Sequence, residues 1–272
     1  MMRRILIVLE NGPDIRQFAH SGLAADLVRE ARVTWALGHK TSERQLPETD
    51  EKIRLSDIAQ PLPGPLRLIS RLAERACNAH EQRRGGHGQW VNFLDTLRAR
   101  KTSAMKQRLD ALLSHAPVHR VLVALERLLF RVWPVPRSAL ASLNPDTIVL
   151  SNHATPGACG LLWLAKRSGI RTVVMQNSWK DSYARTHVPV APDVFIVPLQ
   201  EAADLLVRAN PGLSAGIQVR DTLHTTQLAD PGKIMGREAF CALYNLDPAR
   251  PILCLSATAP NAVLGEPEIV SD

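Results

Sequence analysis

Two polar clusters and one histidine hold the residue types that catalysis or ligand binding needs. Gln176-Asn177-Ser178-Trp179-Lys180-Asp181 crowds an amide, a hydroxyl, an indole and an ammonium into one short segment. Such a set can recognise a sugar or a phosphate, with Trp179 as a stacking face and Asn177, Ser178 and Lys180 as polar contacts. Trp179 could equally be partly buried packing. His153, in Ser151-Asn152-His153-Ala154-Thr155, is placed to act as a general base on a substrate hydroxyl or to bind one. It could also be a loop histidine bonded to backbone. The turn Asn11-Gly12-Pro13-Asp14 precedes a helical pattern, and a helix N-terminus there could present N–H groups to an anionic or hydroxylated ligand held by Asn11, Gly12 and Asp14. Asp14 could instead serve only as a helix N-cap.

Several reaction classes lack their motifs. The first turn is not G-x-G-x-x-G, so no dinucleotide cofactor is expected. There is no G-x-S-x-G elbow, H-E-x-x-H pair or Walker A loop, which argues against hydrolase, metalloprotease and nucleotide triphosphatase chemistry. Cys77, Cys159, Cys241 and Cys254 are scattered without a C-x-x-C pair, so neither a metal site nor a disulfide framework is expected, and a reducing, cytoplasmic setting follows.

The elements that must position these groups alternate between two periods. Arg4 to Leu9 reads as a strand, Ile15 to Leu27 as a helix and Val33 to Leu37 as a second strand, with a short strand around Ile53 to Leu55. Thr147 to Leu150, Arg171 to Met175, Asp193 to Val197 and Ile217 to Arg220 read as later strands, separated by a helix through Lys166 that stops at Gly169 and another over Leu199 to Ala209. The expectation is an α/β fold: a Rossmann-like parallel sheet with helices on both faces, whose ligands sit beyond the carboxyl ends of the strands. Leu66 to Val132 is helical in pattern and forms an insertion, about residues 65–137. Lys233 to Tyr244 reads as a helix and Ile252 to Ser256 as a strand that packs poorly or joins the existing sheet edge.

Charge is concentrated in the insertion. Of a formal net charge of +7 for 272 residues, the stretch from Pro65 to Arg137 alone holds 14 Lys or Arg against 5 Asp or Glu. Interleaved with Leu, Ile and Val, these read as amphipathic helices with a cationic face. That face is either simply solvated or drawn to anionic lipid headgroups or phosphorylated substrates. No recognition helix, stacking motif or basic zipper points to nucleic acid. The apolar run after Arg4 is cut short by Glu10, too early for a signal peptide, and no stretch approaches the roughly 20 apolar residues of a membrane span. Any membrane contact is expected to be peripheral, on the inner-membrane face.

Three stretches carry a family resemblance: Ile5-Leu6-Ile7-Val8 through Phe18-Ala19-His20-Ser21-Gly22-Leu23, Asn144-Pro145-Asp146-Thr147-Ile148-Val149, and Gly169-Ile170-Arg171-Thr172-Val173-Val174-Met175-Gln176-Asn177-Ser178-Trp179. With them the chain resembles bacterial GT-B glycosyltransferases of surface-polysaccharide assembly and, more distantly, nucleotide-sugar 2-epimerases and glycerophosphotransferases of the same fold. Asn177 stands where the family often has His, and Lys180-Asp181 where it has Asp-Asn. Pro192 to Ile196 and Asp247 to Leu255 fit later strands, while Arg220 to Thr225 lacks the glycine and proline of the usual interdomain element.

The resemblance implies transfer of a sugar from a nucleotide-sugar donor to a glycan or lipid-linked acceptor. His153 would be the base, and Asn11, Asp14, Asn177, Trp179 and Lys180 the contacts. It also implies an acceptor-side domain over residues 1–230 and the beginning of an incomplete donor-binding domain over 231–272, so that the chain alone could be inactive. The alternatives are a non-catalytic module that binds a glycan or partner, and a 2-epimerase relative.

Overall fold

The computed structural model describes residues 2–10, 14–15, 18, 23–38, 46, 51–59, 62–84, 104–134, 140, 142–153, 155–176, 182–183, 186–220, 232 and 234–253. They divide between two compact units, Met1–Ala229 and Asp230–Asp272. The described helices are α1 (Leu23–Glu30), α2 (Leu55–Ile58), α3 (Gly64–Arg83), α4 (Ala104–Leu113), α5 (Ala116–Val132), α6 (Pro156–Arg167), α7 (Gln200–Ala209) and α8 (Arg237–Leu243).

The first unit is built on β1 (Arg3–Leu9), β2 (Ala31–Leu37), β3 (Glu51–Arg54), β4 (Thr147–Leu150), β5 (Arg171–Met175), β6 (Val194–Val197) and β7 (Ile217–Val219). All pairings are parallel, and the strands lie side by side in the order β3-β2-β1-β4-β5-β6-β7. The parallel sheet is the one expected from the sequence, and its order is that of the Rossmann fold, reversing between β1 and β4, where Val8 pairs with Leu150. Strand residues alternate between two buried faces. Ile7 and Leu9 join Trp35 of β2 in one core with Ile15, Phe18 and Ala24, whereas Leu6 and Val8 join Ile148, Val174 and Phe195 in the other, under α6 and α7. Helices therefore cover both faces. Gly169, at φ +72°, ends α6 in the left-handed conformation that glycine adopts without strain.

Two corners fix the amino edge of the sheet. Asp193, just before β6, accepts from the backbone N–H and hydroxyl of Thr172 at 2.8 Å each and pairs with Lys166. Burial alone would raise the Asp193 carboxyl, but Lys166 and Thr172 hold it below the usual range. Asp146 accepts from the Arg4 N–H at 2.8 Å before β4 begins.

The insertion is a helical layer in which α3 and α5 lie side by side and Arg75 of α3 pairs with Asp110 of α4. It docks on the sheet unit through the end of α5. The Trp163 indole of α6 donates to the Phe130 carbonyl at 2.7 Å, Arg167 donates to the Arg131 carbonyl, and the Phe130 and Trp163 rings meet edge to face at 5.8 Å. These bonds serve carbonyls in the last turn of α5, which have no partner within the helix itself.

The layer has a polar interior. Glu126 and His187 form a pair of 2.6 Å with side chains 0% and 2% exposed, and Glu81 pairs with Arg208. Burial pushes the Cys77 thiol up to about 12, with Glu81 and Glu126 adding to the effect, so it is a packing residue rather than a nucleophile. The outer side of α5 is correspondingly apolar: Val121, Leu125, Leu128 and Val132 are exposed, beside exposed Arg120, Arg127 and Arg131. The amphipathic pattern places a cationic face outward; the structure adds an apolar stripe to it, because α5 turns Glu126 inward.

The same interior predicts a pH response. Burial first, then the neighbouring His80 and His187, pushes the His119 imidazole down to about 4. An unfolded chain, titrating at about 6.5, binds the proton earlier, so stability is full above that pH and falls as pH drops toward 4. The ring is partly open to solvent, and the discounted loss is about 1–2 kcal/mol between pH 7 and 4. Urea midpoints for wild type and His119→Gln should diverge across this window, and parallel curves would refute the assignment.

In the second unit, α8 is shorter than the sequence pattern suggests because Gly236, its N-cap, is extended, at ψ 154°. Asn245 at φ 55° turns the chain after it, with Leu246 N–H donating to the Cys241 carbonyl at 2.8 Å. The strand expected at Ile252 to Ser256 is not formed at Ile252 and Leu253, and Leu253 is 97% exposed. Cys254 to Ser256 lie outside the described residues. Among the described residues no helix is long and apolar enough to cross a membrane, and no group of three His, Cys, Asp or Glu converges as for a metal ion.

Candidate functional site

The strand order reverses between the carboxyl ends of β1 and β4, the switch point at which doubly wound sheets ordinarily bind their ligands. The residue that bridges it is Glu10, immediately after β1. Its carboxylate accepts from the Thr155 hydroxyl at 2.5 Å, and its backbone N–H donates to Asp14 Oδ2 at 2.8 Å. Thr155 is also the N-cap of α6: its hydroxyl oxygen accepts from the Ala158 N–H at 3.1 Å, and Pro156 follows at the first helical position. A Cβ built on Gly157 would lie 3.5 Å from Glu10 Oε1, so the carboxylate rests against the first turn of α6. That is the end of a helix that favours negative charge.

Gly38 backs this arrangement. Its N–H donates to the Leu9 carbonyl at 2.8 Å, and a Cβ there would stand 2.8 Å from the Glu10 carbonyl oxygen and 3.0 Å from its Cα. Both are backbone atoms, so a side chain must displace the segment that carries the carboxylate. Gly38→Ala is expected to cost about 1–3 kcal/mol, read as a lowered urea midpoint. An unchanged midpoint would show that the Glu10 segment yields freely.

On the neighbouring strand ends the polar side chains are deeply buried. His153, beyond β4, is 1% exposed and meets the Phe195 ring edge to face at 5.2 Å. Ser151 and Gln176 are each 2% exposed. Gln176 Oε1 accepts from the Ser182 hydroxyl, while Gln176 Nε2 and Ser151 Oγ have no hydrogen-bond partner among the described residues. Buried polar atoms are ordinarily paired, so these two mark a polar place on the ends of β4 and β5.

Of the residues singled out by sequence, Asp14 and His153 are described, on the adjacent ends of β1 and β4. Asp14 is 1% exposed, and its Oδ2 accepts from the Glu10 N–H, four residues earlier. Asn11, Gly12, Asn177, Ser178, Trp179 and Lys180 lie outside the described residues. Sequence reasoning placed Glu10 and Thr155 in segments that follow strand ends but gave neither a role in the site. The pair Thr155-Pro156 is a helix-start signal and was open to detection, whereas nothing local to Glu10 points to Thr155.

The arrangement sets a carboxylate, hydroxyls, an imidazole and a carboxamide along three neighbouring strand ends, a set suited to hydrogen-bonding a polyhydroxylated ligand. No family model, curated protein or solved structure matches the chain.

Proposed function

We propose that the chain is a GT-B-type glycosyltransferase, moving a sugar from a nucleotide-sugar donor to a hydroxyl of a glycan or lipid-linked acceptor. The observation that carries this reading is the Glu10–Thr155 bond across the switch point, flanked by Ser151, His153 and Gln176. In the proposed reaction His153 takes the proton of the acceptor hydroxyl. The hydroxyl oxygen then bonds to the anomeric carbon as the nucleoside diphosphate leaves. Glu10 and Thr155 orient the acceptor. The enzyme works against anionic lipid at the cytoplasmic face, which the exposed apolar stripe of α5 and its arginines support.

One observation favours a second reading, a module that binds a glycan without turning it over: the His153 ring is packed on Phe195 and almost fully enclosed. The full chain incubated with UDP- and GDP-sugars and oligosaccharide acceptors should release nucleoside diphosphate with formation of a longer glycan. Saturation-transfer NMR contacts with the oligosaccharide and no diphosphate release would select the second reading. Neither binding nor release would overturn both.

A further inference from the structure

A groove of about 430 Å³ lies at the other edge of the sheet. The last turn of α6, the segment before β6 and the turn before β7 form it, and in a parallel sheet all three lie at the amino ends of strands. The sugar-transfer reading therefore does not use it. Its floor is apolar, made by Phe130, Trp163, Val188, Val190 and Leu213, and its rim carries Arg127, Arg131, Lys166 and Arg167.

The rim is cationic with little to neutralise it. Lys166 pairs with Asp193, but neither Arg127 nor Arg131 makes an ion pair among the described residues, and both are exposed. The floor is held rigidly. Trp163 is fastened to the Phe130 carbonyl, and Asn210 holds the 186–188 segment by accepting from Val188 N–H at 3.0 Å and donating to the Thr186 carbonyl at 2.7 Å. A preformed apolar slot with cations at its mouth matches a molecule with an apolar tail and an anionic head. A free sugar or phosphate would leave the floor unfilled, and a neutral lipid would leave the arginines without a partner. We infer that this groove binds a single-chain anionic amphiphile, its tail along Phe130 and Trp163 and its phosphate or carboxylate head between Arg127 and Arg131.

Decyl phosphate below its critical micelle concentration is the probe, titrated into the full chain by calorimetry. Saturable 1:1 binding is expected, with octyl phosphate about tenfold weaker for two fewer buried methylenes, and with decanol and inorganic phosphate both far weaker. Gly212 lines the groove and a Cβ there meets nothing within 4 Å, so Gly212→Trp is expected to keep the fold and to obstruct binding. Arg127→Glu with Arg131→Glu, at exposed positions, should weaken it about tenfold or more. Circular dichroism of each variant confirms folding. Equal affinity for decanol, or binding unaffected by Gly212→Trp, would overturn the proposal. So would association only with intact vesicles of mixed anionic phospholipid, which would leave α5 as a surface and the groove empty.

Discussion

His187→Ala is expected to remove about 3–5 kcal/mol of folding stability. Glu126 is fully enclosed. Its Oε2 meets His187 Nε2 at 2.6 Å, and its Oε1 has no partner among the described residues. Removing the imidazole leaves both carboxyl oxygens unserved in an interior that also holds Cys77 and Cys159, whose thiols are pushed up first by burial and then by nearby carboxylates. An apolar replacement of both partners, Glu126→Leu with His187→Leu, carries no such penalty and should recover most of the loss. Urea unfolding of the two single variants and the double variant measures this. If the single losses simply add in the double variant, the pair is not a unit and the account fails.

His153→Ala should lower the rate of sugar transfer by about 10²–10⁴-fold with little change in KM, the signature of a lost proton acceptor. Because the ring is buried against Phe195, its removal also costs some stability, so turnover must be compared at a temperature where circular dichroism shows both proteins folded. Glu10→Gln is the useful contrast: the amide oxygen can still accept from the Thr155 hydroxyl, so orientation is kept while the charge is lost. Glu10→Gln should therefore keep a larger share of the wild-type rate than His153→Ala, because the proton acceptor remains. Transfer by folded His153→Ala at the wild-type rate would reduce the histidine to packing.

The sheet was legible because parallel strands covered on both faces are near-continuous apolar runs, and Arg4–Leu9, Thr147–Leu150 and Arg171–Met175 are such runs bounded by turns. Gly169 was readable as a helix stop for the same local reason. The interior of the helical layer was not. A charged side chain is ordinarily a surface residue, yet Glu126 is buried against His187, 61 residues away, while Leu125 and Leu128 of the same helix are exposed. Glu10 was hidden differently. Its role depends on Thr155, 145 residues away, and no local pattern in one sequence reports a contact made by strand order.

One helix ties the two edges of the sheet together. The first turn of α6 holds Glu10 through Thr155, and its far end supplies Trp163, Lys166 and Arg167 to the groove. Twelve residues make a strut about 18 Å long, whose only proline, Pro156, stands at its first position, where it does not kink a helix. A push on Trp163 therefore moves the helix as a rod, and Thr155 travels with it.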